Sequence, residues 1–196
     1  QDMDGLLDEI RDRIVPGNLV VSLAAGITTA FLQSRLPEGS SVVRVMPNTP
    51  ALVDEGMSAV SPGAHCTPEH VALAVRLMAC VGKVVEVPEK MQDAVTAISG
   101  SGPAYIFYTV EAMIEAGVGL GLPRRLATEL TLQTVYGAAT MLRETGEHPV
   151  VLRENVTSPA GTTAAALRVL EDHKVRAAFL SALEAARNRS VELAEG

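Results

Sequence analysis

Short apolar runs and helix-spaced apolar positions alternate along the first half of the chain, whereas the second half keeps only the helical spacing. Leu6, Leu7, Ile10 and Ile14 form a helical stripe over Met3–Ile14, which Pro16-Gly17 ends. Asn18–Leu23 is a Val-rich run bounded by turns and reads as a buried strand. Thr28 is placed to cap a helix over Thr29–Arg35, and Pro37–Gly39 turns the chain. Ser41–Met46 is a second buried strand, stopped by Pro47-Asn48-Thr49-Pro50, and Gly56–Ser61 is a third. Thr67-Pro68-Glu69 supplies a cap, an N1 proline and a first-turn acid for a helix to about Ala79. Lys83–Val87 is the fourth strand. Strands alternating with helices across short loops predict an α/β layer with a mainly parallel sheet. In such sheets ligands sit outside the carboxyl ends of the strands, which selects the loops Ala24–Ile27 and Pro47–Pro50.

From Glu89 the pattern is helical throughout. Glu89–Ile98 reads as a helix, Ser99-Gly100-Ser101-Gly102 as a flexible hinge, and Pro103 as the start of an apolar helix to about Gly117. Arg124–Glu144 follows the turn Gly119–Pro123, with Gly137-Ala138-Ala139 as a close-approach face. Val150–Asn155 and Val175–Glu195 complete the set. The fold class is therefore α/β followed by all-α, divided as residues 1–88 and 89–196. The long helices are apolar on more than one face, most clearly Ala104–Val118. The surplus predicts burial against a partner subunit.

Composition narrows the function classes. Hydrophobic residues make up 47% of 196 residues and the net charge is −7, so the chain is globular and a nucleic-acid partner is not expected. Pro103–Val118 carries Glu111 and Glu115 and reads as a buried helix, so no membrane partner is expected. No signal-peptide pattern is seen, and two separate thiols, Cys66 and Cys80, suit a reducing cytoplasm. The four histidines are scattered, so no metal site is expected. No Ser lies in a G-x-S-x-G elbow. Gly117-Val118-Gly119-Leu120-Gly121 follows a helix, so it is a helix end and turn and no dinucleotide fingerprint.

One stretch carries a chemical suggestion of its own. In Val156–Leu167, VTSPAGTTAAAL, Ser158-Pro159 and Ala160-Gly161 require a turn, and a helix starts near Thr163. Thr162 and Thr163 then sit at a helix N-terminus, where unpaired N–H groups and the macrodipole favour an anion.

That stretch, together with Ala97–Tyr105 (AISGSGPAY), Gly119–Leu126 (GLGLPRRL), Leu23–Ile27 (LAAGI) and Val45–Pro50 (VMPNTP), resembles the pyrroline-5-carboxylate reductase family in order and over essentially the whole chain. The resemblance implies a partial Rossmann-type sheet followed by a C-terminal helical dimerisation domain and a homo-oligomer. It also implies reduction of 1-pyrroline-5-carboxylate, a small-molecule substrate, to L-proline with NADPH or NADH. Carried over by position, Ala24, Ala25, Pro47, Asn48 and Asn155 are expected at the cofactor. Glu89, Ser158, Thr162 and Thr163 are expected at the substrate, with Thr163 as the catalytic candidate. Ala160 stands where the family more often has Gly. A hydride transfer needs no side-chain nucleophile, only positioning.

The phosphate-binding loop of that family has no counterpart in this sequence. Gln1 is no initiator Met, and the opening resembles the segment after the family's fourth strand, so about two βαβ units, roughly 70 residues, are expected upstream. Residues 1–196 by themselves are expected to bind NAD(P)H poorly. The alternative is a non-catalytic helical dimerisation module. A hydroxyacid dehydrogenase is disfavoured because Pro103–Gly121 lacks the lysine that those enzymes carry on the first long helix.

Overall fold

The computed structural model describes residues 3–195. Contacts divide the chain into two compact units, Gln1–Pro103 with Leu183–Gly196, and Ala104–Ala182.

The first unit is built on a sheet of β1 (Leu19–Ser22), β2 (Ser41–Met46), β3 (Gly56–Pro62) and β4 (Gly82–Glu86), in that order. β1 and β2 run parallel with Ser22 beside Arg44, and β3 and β4 run parallel with Ala59 beside Val85. β2 and β3 are antiparallel, with Arg44 beside Ser61. The sheet is therefore mixed: two of its three pairings are parallel, in line with the mainly parallel arrangement expected from the sequence, and the β2–β3 pairing is the antiparallel exception. A parallel return needs about a dozen residues or more. Only residues 47–55 join β2 to β3, and they hold a 3-10 turn (Thr49–Val53) closed by left-handed Asp54.

Adjacent residues of a strand face opposite sides, and β2 uses both. Val43 and Val45 pack with Val60 against Ala74 and Met78 of α3 (Pro68–Ala79). Val42 packs on the other side with Leu7 of α1 (Met3–Arg11), Leu32 of α2 (Thr29–Arg35) and Leu36. Each fully buried Val or Leu contributes about 1.5–3 kcal/mol relative to exposure. Thr28 caps α2, its side chain accepting from the Phe31 N–H.

Residues 89–100 cross the second face as one helical run: a 3-10 turn (Glu89–Met91), α4 (Gln92–Val95) and a π turn (Thr96–Gly100). Fully buried Gln92 donates to the Ala59 carbonyl at 3.2 Å and to Ser61 Oγ at 2.7 Å. The hinge expected at Ser99–Gly102 is instead regular, because the Ser101 N–H reaches back to the Thr96 carbonyl at 2.8 Å. Gly100 answers a close approach: a Cβ there would lie 2.5 Å from Met46 Cε.

Helices α5 (Gly102–Gly119), α6 (Arg124–Thr145), α7 (Pro149–Asn155), α8 (Thr162–Asp172) and α9 (Val175–Glu195) complete the chain. The end of α9 belongs to the first unit, where Ser190 Oγ donates to Asp93 Oδ1 at 2.7 Å. In the second unit α5 and α6 meet where a Cβ on Gly117 would lie 3.0 Å from that of Ala127. The face expected at Gly137 meets nothing within 4 Å. Among the described residues of this unit only Ala127 and Thr131 are buried, while Phe107, Tyr108, Leu120, Tyr136 and Leu180 are all more than 60% exposed. α5, expected to be a buried helix, buries none of its residues within this chain. Among the described residues no helix is long and apolar enough to cross a membrane.

Candidate active site

β1 and β2 are parallel, so their carboxyl ends bring the loops 23–28 and 47–55 to one edge of the sheet. Ala24 is half-buried and its N–H donates to Ser22 Oγ at 3.4 Å; Ala25 is exposed. Gly26 follows with φ +76°, and a Cβ there would lie 3.0 Å from Leu193 Cβ, so α9 presses on this loop. Gly suits both demands, a left-handed backbone and a close neighbour.

The neighbouring loop is held by Asn48. Its Oδ1 accepts the Met57 N–H at 2.8 Å and its Nδ2 donates to the Ser99 carbonyl at 3.0 Å. Both ends of the amide are thus committed within the protein. Half-buried Pro47 lies between Asn48 and the end of β2.

Glu89 stands at the head of the helical run, where its Oε1 accepts the Thr29 N–H at 2.7 Å and its Oε2 accepts the Thr29 hydroxyl at 2.6 Å. Arg44 Nη1 lies 3.5 Å from Oε1. A carboxylate at a helix N-terminus is favoured by the free N–H groups and the dipole. Here the protein supplies that carboxylate to α2 itself. Sequence reasoning missed Arg44, although a charged residue inside the otherwise apolar run SVVRVM was visible.

The second unit holds the other candidates. Asn155 ends α7 and is exposed. The Gly161 N–H donates to the Ser158 carbonyl at 3.0 Å, closing a turn with Pro159 and Ala160 at its centre. Ala160 has φ +57°. Gly161, not a threonine, is the N-cap of α8, and no side chain caps that helix. Thr162 is exposed and Thr163 half-buried in the first turn. Among the described residues neither hydroxyl has a hydrogen-bond partner within the chain. The result is a helix start with uncapped N–H groups and two available hydroxyls, suited to a small carboxylate. Glu89, Ala24, Ala25, Pro47 and Asn48 belong to the first unit; Asn155, Ser158, Thr162 and Thr163 belong to the second.

Cys66 is no nucleophile. Its Sγ donates to the Val42 carbonyl at 3.0 Å, and burial pushes the thiol's pKa up. Among the described residues no three His, Cys, Asp or Glu side chains gather as a metal site would require.

Residues 89–193 match the family described as pyrroline-5-carboxylate reductase dimerisation. A pyrroline-5-carboxylate reductase of Corynebacterium melassecola is 52% identical over 176 residues, covering 90% of this chain and 65% of the relative. One from Methanosarcina acetivorans is 46% identical over 193 residues, covering 98% of this chain and 72% of the relative. Among solved structures, a pyrroline carboxylate reductase of Plasmodium falciparum with NADP bound superposes with a TM-score of 0.93 at 32% identity, over 98% of this chain and 77% of that one. The chain spans about two thirds of the length of the curated relatives it matches. The chain belongs to the pyrroline-5-carboxylate reductase family.

Proposed function

We propose that the protein takes part in NAD(P)H-dependent reduction of the C=N bond of 1-pyrroline-5-carboxylate to L-proline. The observation that carries this reading is the uncapped start of α8, with Thr162 and Thr163 free of internal partners, in a chain of this family. The first-turn N–H groups and a hydroxyl would hold the substrate carboxylate. Ser158 shapes the turn that leads into them. NADPH or NADH would supply the hydride to the imine carbon. Ala24, Ala25 and Pro47 would line the cofactor from the sheet edge; the family resemblance gives Asn155 a cofactor contact as well. Asn48 would shape that edge, since its amide is already bonded to Met57 and Ser99. Glu89 would act by holding α2 in place, since both its oxygens are engaged by Thr29. Thr163 would orient the imine, and one proton must reach the ring nitrogen as the hydride reaches carbon. The residues need only fix a near-attack geometry for this chemistry.

The exposed apolar helices support a homo-oligomer formed through the helical part, residues 89–196, with residues 1–88 as the cofactor-binding part. The family also supports a cytoplasmic enzyme with a small-molecule substrate. Thr163→Val tests the site in a full-length reductase polypeptide carrying this segment. Its hydroxyl bonds nothing inside the chain, so the thermal midpoint should hold while kcat/KM falls about tenfold or more, about 1.4 kcal/mol of transition-state stabilisation. Near-normal turnover would remove Thr163 from the mechanism.

A further inference from the structure

We propose that Arg44 is a positioning residue for the loop Leu23–Thr28, acting through Glu89. This rests on the reading above that the loop meets the cofactor. Arg44 lies in the middle of β2 and is 3% exposed. Its Nη1 stands 3.5 Å from Glu89 Oε1, and its Nη2 is buried without a partner among the described residues. A long contact with half of a buried guanidinium unsatisfied is a poor source of stability. Well-packed apolar residues of similar volume often serve a fold as well or better. The pair does something an apolar pair could not. It holds a carboxylate where the Thr29 N–H and hydroxyl both reach it, at 2.7 and 2.6 Å.

Thr29 is the first residue of α2, and the loop enters the helix there. Glu89 is also the first residue of the run that crosses the sheet face and ends at Gly100, one residue after Ser99, where Asn48 fastens the second loop. The ionic strut thus ties the start of that run to the loop after β1, as Asn48 ties its end to the loop after β2. At the N-terminus of α2 the Thr29 N–H is already engaged by Glu89 and the Phe31 N–H by Thr28. The loop is left to act through the backbone and methyl groups of Ala24 and Ala25, whose placement depends on the strut.

The experiment measures NADPH affinity by nucleotide fluorescence, thermal midpoint and steady-state kinetics in the full-length reductase polypeptide. The variants are Arg44→Met, Glu89→Gln and the double R44M/E89M. Each single change should weaken NADPH binding about tenfold while kcat at saturating cofactor changes less than about threefold. The double variant replaces an ion pair of buried Arg44 and half-buried Glu89 by an apolar pair, so its midpoint should return towards that of the parent. Its NADPH affinity should stay weak, because Thr29 has lost its anchor. Recovery of both midpoint and affinity in the double variant would overturn the proposal and leave the pair a packing element. Unchanged affinity in Glu89→Gln would overturn it as well. A parent that binds NADPH but does not reduce 1-pyrroline-5-carboxylate refutes the reductase reading and leaves the affinity comparison standing. A parent that binds no NADPH refutes both.

Discussion

Ala160→Gly should stabilise the protein. Ala160 occupies the second central position of the turn closed by the Gly161 N–H and the Ser158 carbonyl, with φ +57°. Pro159 before it suits a turn whose next residue is left-handed, the place where Gly is favoured. A residue with a Cβ pays about 1–2 kcal/mol for that backbone region. Gly removes the penalty but adds freedom to the unfolded chain, worth about 0.4–1 kcal/mol in the opposite direction. Ala160 is exposed, so losing its methyl group removes no core packing. The net gain is about 0.5–1 kcal/mol, or about 1–4 °C in thermal midpoint for a chain of this size. Lys174 offers an independent check. It has φ +57° directly after the His173 C-cap of α8, where Gly is the common choice. Lys174→Gly should give a gain of the same order, and the two should add. Differential scanning calorimetry at one protein concentration measures both. A midpoint that is unchanged or lower in Ala160→Gly refutes the reasoning, because the left-handed backbone would then carry no cost.

Gly82→Ala should be severe. A Cβ there would lie 2.0 Å from the Gly56 carbonyl oxygen and φ is +146°, so backbone strain and overpacking combine to about 3–5 kcal/mol in urea unfolding; near-parental stability would sink this account. Glu115 and Arg124 form an exposed two-point ion pair at 2.6 and 3.1 Å, whose hydrogen bonding and charge hold the Glu115 carboxyl below its ordinary range. Its folded pKa is depressed, so its contribution is present above the ordinary carboxylate value and is lost as pH falls through the lowered one. The stability gap between parent and Arg124→Gln should therefore close on acidification and in high salt, and a gap independent of both would refute it. The thermal midpoint should also fall on dilution, because the helical unit leaves Phe107, Tyr108, Tyr136 and Leu180 uncovered; a midpoint constant over about a hundredfold dilution would contradict a homo-oligomer.

Where punctuation was strong, the chain was legible from its residues. Thr28 as cap and the turn at Pro37–Gly39 mark α2 at Thr29–Arg35, and Pro47 ends β2 at Met46, both as observed. The β2–β3 reversal was not legible, because strand direction depends on what the connection can span, and an apolar run carries no direction. Gly100 was read as flexible because sequence cannot separate a glycine that bends from one that admits Met46. At the site, the turn and the helix start were visible, and Ala160, standing where the family more often has Gly, takes the left-handed backbone that Gly suits. The N-cap is Gly161, so both threonines fall within the first turn of α8. The Arg44–Glu89–Thr29 cluster was out of reach, since its members lie on three elements and only the sheet brings them together.

The reversal between β2 and β3 also sorts the connections for anyone wishing to insert into this chain. Loops 23–28 and 47–55 share one edge of the sheet, while β3 delivers its turn, Gly63–Cys66, to the opposite edge. There Ala64 is exposed and the turn closes on itself through the Cys66 N–H and the Gly63 carbonyl at 3.1 Å. A fluorescent label or a fused peptide grafted at Ala64 would thus report on the fold from the far edge of the sheet, and the same graft at exposed Leu52 would sit on the edge that the proposed function gives to the cofactor.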